Sequence, residues 1–482
     1  MPESVSFSRI PADVLARWKA VRDVCEGDQA LRAGDYLPYL NKHDKSEENR
    51  ARNEAYRARA VFFGATGFTL EGLIGLAYRH DPQHNLPPKL EYLLTDVDGA
   101  GTSIYQQSQM VVSNNLQIGR HGLYVDYMEN KSRGVIKSYV GESIINWRYS
   151  EVNGELVLSL VILEEQVEVE TADGYGLEIV TQWRELALVE GVFMCTIWVE
   201  TAAGPTIQNI VLPKAARNNG YLRYIPFQFI GSVNNDATID KSPLYNLAQV
   251  NIAHFRNSAD YEDSVFFVGQ AQPWITGLTE EWRDHLENPT DENGVRTGKA
   301  LYIGSRNPIL LPSGAAFGFA QAQPNTIVKE AMDQKEKQMI AIGARMIEAT
   351  TANKTATGED NDREATTSVL ALVVSNVSEA YQQCIRWVAE YNNIQDLKED
   401  KPTFHINQSF VKLAVDSQLI QALVKAWQSG SFAKADLRAY LRKMGVLAVE
   451  RTDEDIDDDL DSEGPPLGTS GTSTAGLTDN QG

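Results

Sequence analysis

The sequence predicts an α+β fold, and three observations carry that reading. Helical periodicity dominates up to about residue 130, strand texture replaces it from about 135 to 230, and long helical segments return from 242. Within that last part a Gly- and Pro-rich stretch, residues 270–323, separates one long helical segment from the next.

A chain of 482 residues is long enough for two to four domains. Its 43% hydrophobic and 23% charged residues match a folded soluble protein. No run approaches the ~18 apolar residues of a membrane helix, so no membrane partner is expected. The start, MPESVSFSRIPADVLARWKAVRDV, lacks the basic end, apolar core and cleavage site of a signal peptide. The formal net charge of −21 excludes a chain that grips nucleic acid by bulk attraction; any phosphate contact must be local, weak or sliding.

Val14, Leu15, Trp18 and Val21 predict an amphipathic first helix with Pro11 near its start. Ser46 before EEN predicts the start of a second, running through RARNEAYRARAVFF. The following GATGFTLEGLIGLAYR contains Gly64, Gly67, Gly72 and Gly75. A phosphate-binding loop would need a Lys-Ser or Lys-Thr pair directly after its last glycine, and Leu76 follows Gly75 instead. Close helix packing is the better account of these glycines. GRHGLYVDY at 119–127 reads as a turn entering a strand, with His121 structural and not catalytic.

From 135 to 230 the Gly/Asp-rich turn at 172–176 and the turn around Gly191 predict two hairpins. Asp and Glu alternate along these strands as on a solvated face, and nothing selects a catalytic pair. Ser242 and Pro243 suit the N-cap and first position of a long helix whose face is Leu244, Leu247, Ile252, Phe255 and Ala259. Residues 270–323 then read as a small α/β insertion. A second long helix, about 326 to 349, carries Met332, Met339 and Met346 at heptad spacing with Ile342 beside them, a packing seam against another helix or subunit.

EATTANKTATGEDNDREA at 348–365 interrupts the periodicity, leaving Lys354 between Asn353 and Thr355 in a slim polar loop. A third long helix is expected from near Asp362 to Tyr391, and a shorter helical pair after it ends at Gly430 and Gly445. The acidic and Gly/Ser/Thr-rich tail from Glu450 is expected to be disordered. Cys25, Cys195 and Cys384 have no metal-ligand spacing, and the histidines form no HExxH; free thiols, no metal and no cofactor are expected.

This order resembles the tailed-bacteriophage portal protein. The resemblance rests on AYRARAVFFGATGFTLEGLIGLAYR, GRHGLYVDY, PLYNLAQVNIAHFRNSADYEDSVFFVGQAQPWITG and REATTSVLALVVSNVSEAYQQCIRWVAEY, and spans about residues 30–450. It implies a mixed α/β wing over 1–241, stem helices at 242–268 and 325–349, and a small α/β clip at 269–324. It further implies a tunnel loop at 350–361, a long wing helix and linker at 362–403, a helical crown at 404–449 and the acidic tail at 450–482. Portal subunits form dodecameric rings at one capsid vertex of the virion, assembled in the host cytoplasm, and are not enzymes. Double-stranded DNA passes through the ring; terminase, major capsid and scaffolding proteins, and head-completion or tail adaptor proteins are the partners. Asn353, Lys354 and Thr355 would then line the channel, and Met332, Met339, Ile342 and Met346 the packing seam. Two other readings stay open: a capsid or tail adaptor without a DNA channel, and a hydrolase hidden in the β-rich region.

Overall fold

The computed structural model describes residues 4–152, 154–171, 174–215, 220–269, 271–287, 311–321, 326–347, 368–392, 402–408, 433–443 and 451–463, with isolated positions between them. It divides into two units, Met1–Gln408 and Ser409–Gly482. The chain has the expected α+β architecture, with helices and antiparallel sheets.

Helix α1 (Ala12–Glu26) follows Pro11, whose extended backbone turns the chain into the first turn. Trp18 and Val21 are buried as expected, but Leu15 is exposed. The short α2 (Asp28–Ala33) leads to α3 (Glu47–Arg59), which Ser46 caps by accepting from the Asn49 amide at 3.3 Å. In α4 (Ala65–Ala77) the glycines divide by function. A Cβ on Gly67 would stand 3.0 Å from the Cys25 carbonyl oxygen, whereas Gly72 and Gly75 face open space. Close packing therefore explains Gly67 alone.

Strand β1 (Gln83–Asn85) precedes α5 (Ile104–Ile118), which opens with a reciprocal Ser103/Gln106 capping box. Strands β2 (Arg120–Met128) and β3 (Arg133–Val140) follow, then a meander of β4 (Ile144–Val152), β5 (Glu155–Glu170), β6 (Leu177–Val189), β7 (Val192–Val199) and β8 (Thr206–Val211). Both predicted hairpins form; at the second, Glu190 and Gly191 take φ of 51° and 73°, the geometry of a tight two-residue turn. After the small pair β9 (Lys214–Ala215) and β10 (Gly220–Tyr221), β11 (Phe227–Gly231) returns beside β2, giving a sheet of order β11-β2-β3. The meander is a second sheet, β4 to β8 in order.

The remainder of the larger unit is α6 (Tyr245–Gly269), β12 (Gln272–Thr276), α7 (Glu280–Glu287), β13 (Ala316–Ala320), α8 (Ile327–Ile347), α9 (Val369–Tyr391) and β14 (Thr403–His405). Two predicted starts are corrected. The Ser242 hydroxyl donates to the Gln117 carbonyl, so it tethers α5 instead of capping, and α6 begins at Tyr245. Helix α9 begins at Val369 because Ser368, with extended backbone, accepts from the Ala371 amide at 3.2 Å. Residues 404 and 405, assigned to a crown, instead pair with β1 as part of β14.

Helix α9 is the core element of this unit. Leu370, Val373, Val377, Tyr381, Cys384 and Val388 are all buried. Tyr381 donates to Gln107 at 3.0 Å, and Gln107 donates in turn to the Ile136 carbonyl at 2.8 Å, linking α9, α5 and β3. Asn115 of α5 and Asn376 of α9 both donate to the Gly231 carbonyl, at 3.0 and 2.9 Å, which pins the end of β11 between the two helices.

In the smaller unit α10 (Lys434–Lys443) lies against α11 (Asp453–Glu463). The expectation that residues 450–482 lack structure is thus corrected for 453–463. Arg438 and Lys434 both meet Asp457, Arg442 meets Asp453, and Ile456 is buried. The acidic run folds because basic residues of α10 neutralise it. Residues 464–482, and most of the helix expected before Gly430, lie outside the described residues.

Two substitutions on α4 should have opposite signs. Gly72→Ala should raise the melting temperature, as it adds helix propensity of about 0.5–1 kcal/mol in open space. Gly67→Ala should lower it, because its methyl group meets backbone of α1 that cannot swing aside. Equal shifts in thermal melting would contradict the division.

Candidate functional site

The site most directly suggested by the sequence is the pair of long helices with the loop that follows them. Helix α6 has 25 residues and α8 has 21, so they extend roughly 37 and 31 Å at ~1.5 Å per residue. They run antiparallel: Gln321, just before α8, donates to Val268 near the end of α6 at 3.1 Å, and Glu336 farther along meets His254 farther back. At the turn between them β12 and β13 form a two-stranded antiparallel sheet. Gly318 is required there, since a Cβ would come 2.5 Å from the Trp274 ring.

The apolar face predicted for α6 is buried: Leu244, Leu247, Ile252, Phe255 and Ala259. Polar residues within the same face do the anchoring. Asn251 donates to the Phe63 carbonyl at 2.7 Å and accepts from the Thr66 amide and hydroxyl at 3.0 and 2.9 Å. Thr66 is the second residue of α4, whose own N-cap, Gly64, has no side chain; Asn251 supplies the missing cap from another helix. One heptad on, the Ser258 hydroxyl accepts from the Val61 amide at 2.9 Å and donates to the Val61 carbonyl at 2.6 Å. Tyr56 to Asp260 at 2.7 Å and Arg59 to Asp263 at 2.9 Å extend the row along α3. This row was not anticipated from the sequence. Its signal was Asn251 and Ser258, seven apart inside an apolar stripe.

Of the predicted seam, Met339 and Met346 are buried, at 3% and 4% exposure, and Met332 and Ile342 are half-buried. Within one chain the stripe already packs against α6 and its neighbours. Next to Met339, Ile340 is 72% exposed. A groove of about 620 Å³ runs between α4 and α8, lined by Phe63, Leu73, Leu76, Met339, Ile340 and Gly343. His254 meets two of the groove residues, with Nε2 3.4 Å from the Glu336 carboxylate and its ring 5.8 Å from Phe63. Burial pushes the His254 pKa below its ordinary value, and the Glu336 carboxylate opposes that shift. The predicted channel residues Asn353, Lys354 and Thr355 lie outside the described residues.

The β-rich region was the place for a hydrolytic centre. A largely buried carboxylate there, Glu165, is held by a cation and neutral donors. Burial pushes the Glu165 pKa up, but Arg184 at 2.8 Å, Tyr139 at 2.6 Å and Gln182 outweigh it and hold the carboxyl below the usual range. Arg184 also lies 3.9 Å from Asp126, which Lys137 meets at 2.8 Å. This network ties β3 to β6 through ionised partners, leaving Glu165 a poor proton acceptor. His121 is buried in β2, and burial, then the charge of Arg22, lowers its pKa to about 3. Cys195 and Cys384 are buried free thiols, and Cys25 is free and half-buried, its pKa pushed up to about 12 by burial. Among the described residues no group of three His, Cys, Asp or Glu could hold a metal, and no helix is long and apolar enough to cross a membrane.

A family model described as a domain of unknown function, DUF4055, matches residues 243–392, the span from α6 through α9. No curated protein matches the chain. Among solved structures, the chain is similar to one in the neck of a native GTA particle computed with C12 symmetry, at 11% identity and a TM-score of 0.40. A chain in the neck of an empty GTA particle computed with C6 symmetry gives 12% and 0.39, and one in the virion of a native gene transfer agent (GTA) particle gives 13% and 0.37. Each match covers 78% of this chain and 89% of the other.

Met339→Asp should destabilise the fold by about 3 kcal/mol or more, since it buries an unpaired carboxylate. Ile340→Asp should stay within about 0.5 kcal/mol, as that side chain faces solvent. Denaturant midpoints of the pair check the assignment of the buried face. A pH prediction follows from His121. Its folded pKa lies near 3, well below an unfolded value of about 6.5, so at pH 7 both states are neutral. As pH falls below the unfolded value only the unfolded chain takes the proton, and stability drops until the folded value is reached. His121→Leu should therefore flatten the loss of stability between neutral and mildly acidic pH, measured by denaturant titration across that range.

Proposed function

We propose that this chain is a portal subunit: about twelve copies form a ring at one capsid vertex, and double-stranded DNA passes through it during packaging and ejection. The observation that carries the reading is the antiparallel α6–α8 pair, closed at one end by the β12–β13 sheet and followed by the 348–367 segment before α9. That order follows the stem, clip, tunnel loop and wing helix implied by the resemblance in sequence. The sheets and N-terminal helices correspond to the wing. Terminase is the docking partner during filling, with capsid and scaffolding proteins at the vertex, and head-completion or tail adaptor proteins afterwards.

The function is structural and mechanical, with no cofactor. In this reading Lys354 faces the channel between Asn353 and Thr355, a point charge at the end of a long side chain among small polar residues. A conduit gains from weak contacts, because each strong phosphate contact must break before the duplex advances. A formal charge of −21 with sparse channel cations suits passage better than retention.

Electron-microscope class averages of the purified protein should show a ring with a through-channel. A monomer under all conditions, or a closed ring without a channel, would overturn the reading and favour an adaptor. Lys354→Ala should leave ring yield and melting unchanged but reduce packaged genome per particle, and Lys354→Glu should reduce it further because it adds repulsion. Thr355→Ala should behave as wild type. Equal packaging by all three variants would remove Lys354 from the mechanism.

A further inference from the structure

The meander sheet does not end evenly. Strand β4 pairs with β5 no farther than Leu163, and β7 pairs with β6 only from Gln182 onward. Beyond those limits Gln166–Glu170 and Leu177–Thr181 continue together as a two-stranded ribbon. A ribbon of two strands is marginal in water unless a further strand or surface supports it. This one exposes apolar side chains on both faces: Leu177 and Ile179 are 65% and 66% exposed on one, and Val169 is exposed on the other. Those residues alternate with Glu168, Glu170 and Glu178, and no Lys or Arg occurs between Glu164 and Gln182.

One edge of the same sheet is complementary. Strand β8 is the edge strand, and every residue of it is exposed, including Ile207, Ile210 and Val211. An exposed apolar edge strand is a template for pairing with another chain. Charge agrees: from Thr201 to Arg223 the sequence has no Asp or Glu, but has Lys214, Arg217 and Arg223. In a chain of net charge −21, the segment that holds the ribbon is thus free of Lys and Arg, and the segment that holds β8 is free of Asp and Glu.

We infer that the acidic β5–β6 ribbon of one copy docks on the β8 edge of the next copy, extending its sheet. The contact joins two different surfaces, so it propagates from copy to copy and closes when the rotation permits. This inference rests on the ring proposed above and names the surfaces that build it. Backbone pairing along β8 supplies the attachment, the apolar residues are covered on both sides, and the charges fix which end meets which.

Two full-length variants test it, each with one surface disabled. Glu168→Lys with Ile179→Lys spoils the ribbon, and Ile207→Asp with Ile210→Asp spoils the edge. All four side chains are exposed, so thermal melting of each variant as monomer should match wild-type monomer. By mass photometry and negative-stain imaging, each variant alone should lose at least tenfold in ring yield. Mixed, they should form dimers that cannot grow, because one intact ribbon still meets one intact edge. If either variant forms rings as wild type does, or the mixture stays monomeric, the docking is wrong. A wild type that never forms rings would instead sink the ring reading itself, and the docking with it. Rings intact in the edge variant with loss of DNA retention would assign that edge to nucleic acid and overturn the proposal. If a double variant fails to fold, Ile179→Lys alone should still lower ring yield, and an unchanged yield would count against the ribbon.

Discussion

Asn251 is the residue on which the arrangement of the long helices depends. Its amide donates to Phe63, and its oxygen takes both the amide and the hydroxyl of Thr66. The first turn of α4 carries amides that no helix can satisfy internally, and buried amides left unpaired cost about 1–3 kcal/mol each. With Gly64 at the cap position, α4 cannot meet that need alone, and α6 must lie where its Asn251 can. Ser258 does the same for Val61 one heptad on. Apolar burial alone would hold α6 against its neighbours, but it would tolerate sliding; two directional anchors set the register.

The same logic recurs around α9, with different chemistry. Apolar residues on several sides bury it, and that burial is non-directional. Direction comes from Asn376 and Asn115, which share the Gly231 carbonyl, and from the Tyr381–Gln107–Ile136 chain. Gly231 has no room for a side chain, because a Cβ would run into the Asn234 carbonyl oxygen and the Asp240 carboxylate. The long helices and the β11-β2-β3 sheet are therefore each located by a few buried hydrogen bonds inside a much larger apolar contact.

Periodicity made most of the elements legible. The faces of α6 and α8, both hairpins and the Ser46 cap follow from local chemistry, and local chemistry decides them. The errors share a cause, which is competition from distant partners. Ser242 looks like a cap until the Gln117 carbonyl takes its hydroxyl. Acidic residues 453–463 look unable to build structure until Arg438, Lys434 and Arg442 of the preceding helix neutralise them. Asn251 and Ser258 look like flaws in an apolar stripe, because the amides they satisfy lie roughly 190 residues away. The ribbon beyond Leu163 was hidden for a different reason: strand length is visible in sequence, but how far each neighbour follows is not.

The anchoring pattern also bears on what the 348–367 segment can do. On one side α8 is fixed by Met339 and Met346, both buried. On the other, α9 starts at a Ser368 cap and buries Leu370 within its first turn. Helix α8 also touches α9, so the helices on either side of the segment are held together by their own packing. Substitutions in the α6 row are therefore expected to act on folding, and in the proposed portal reading those at Lys354 on DNA in transit.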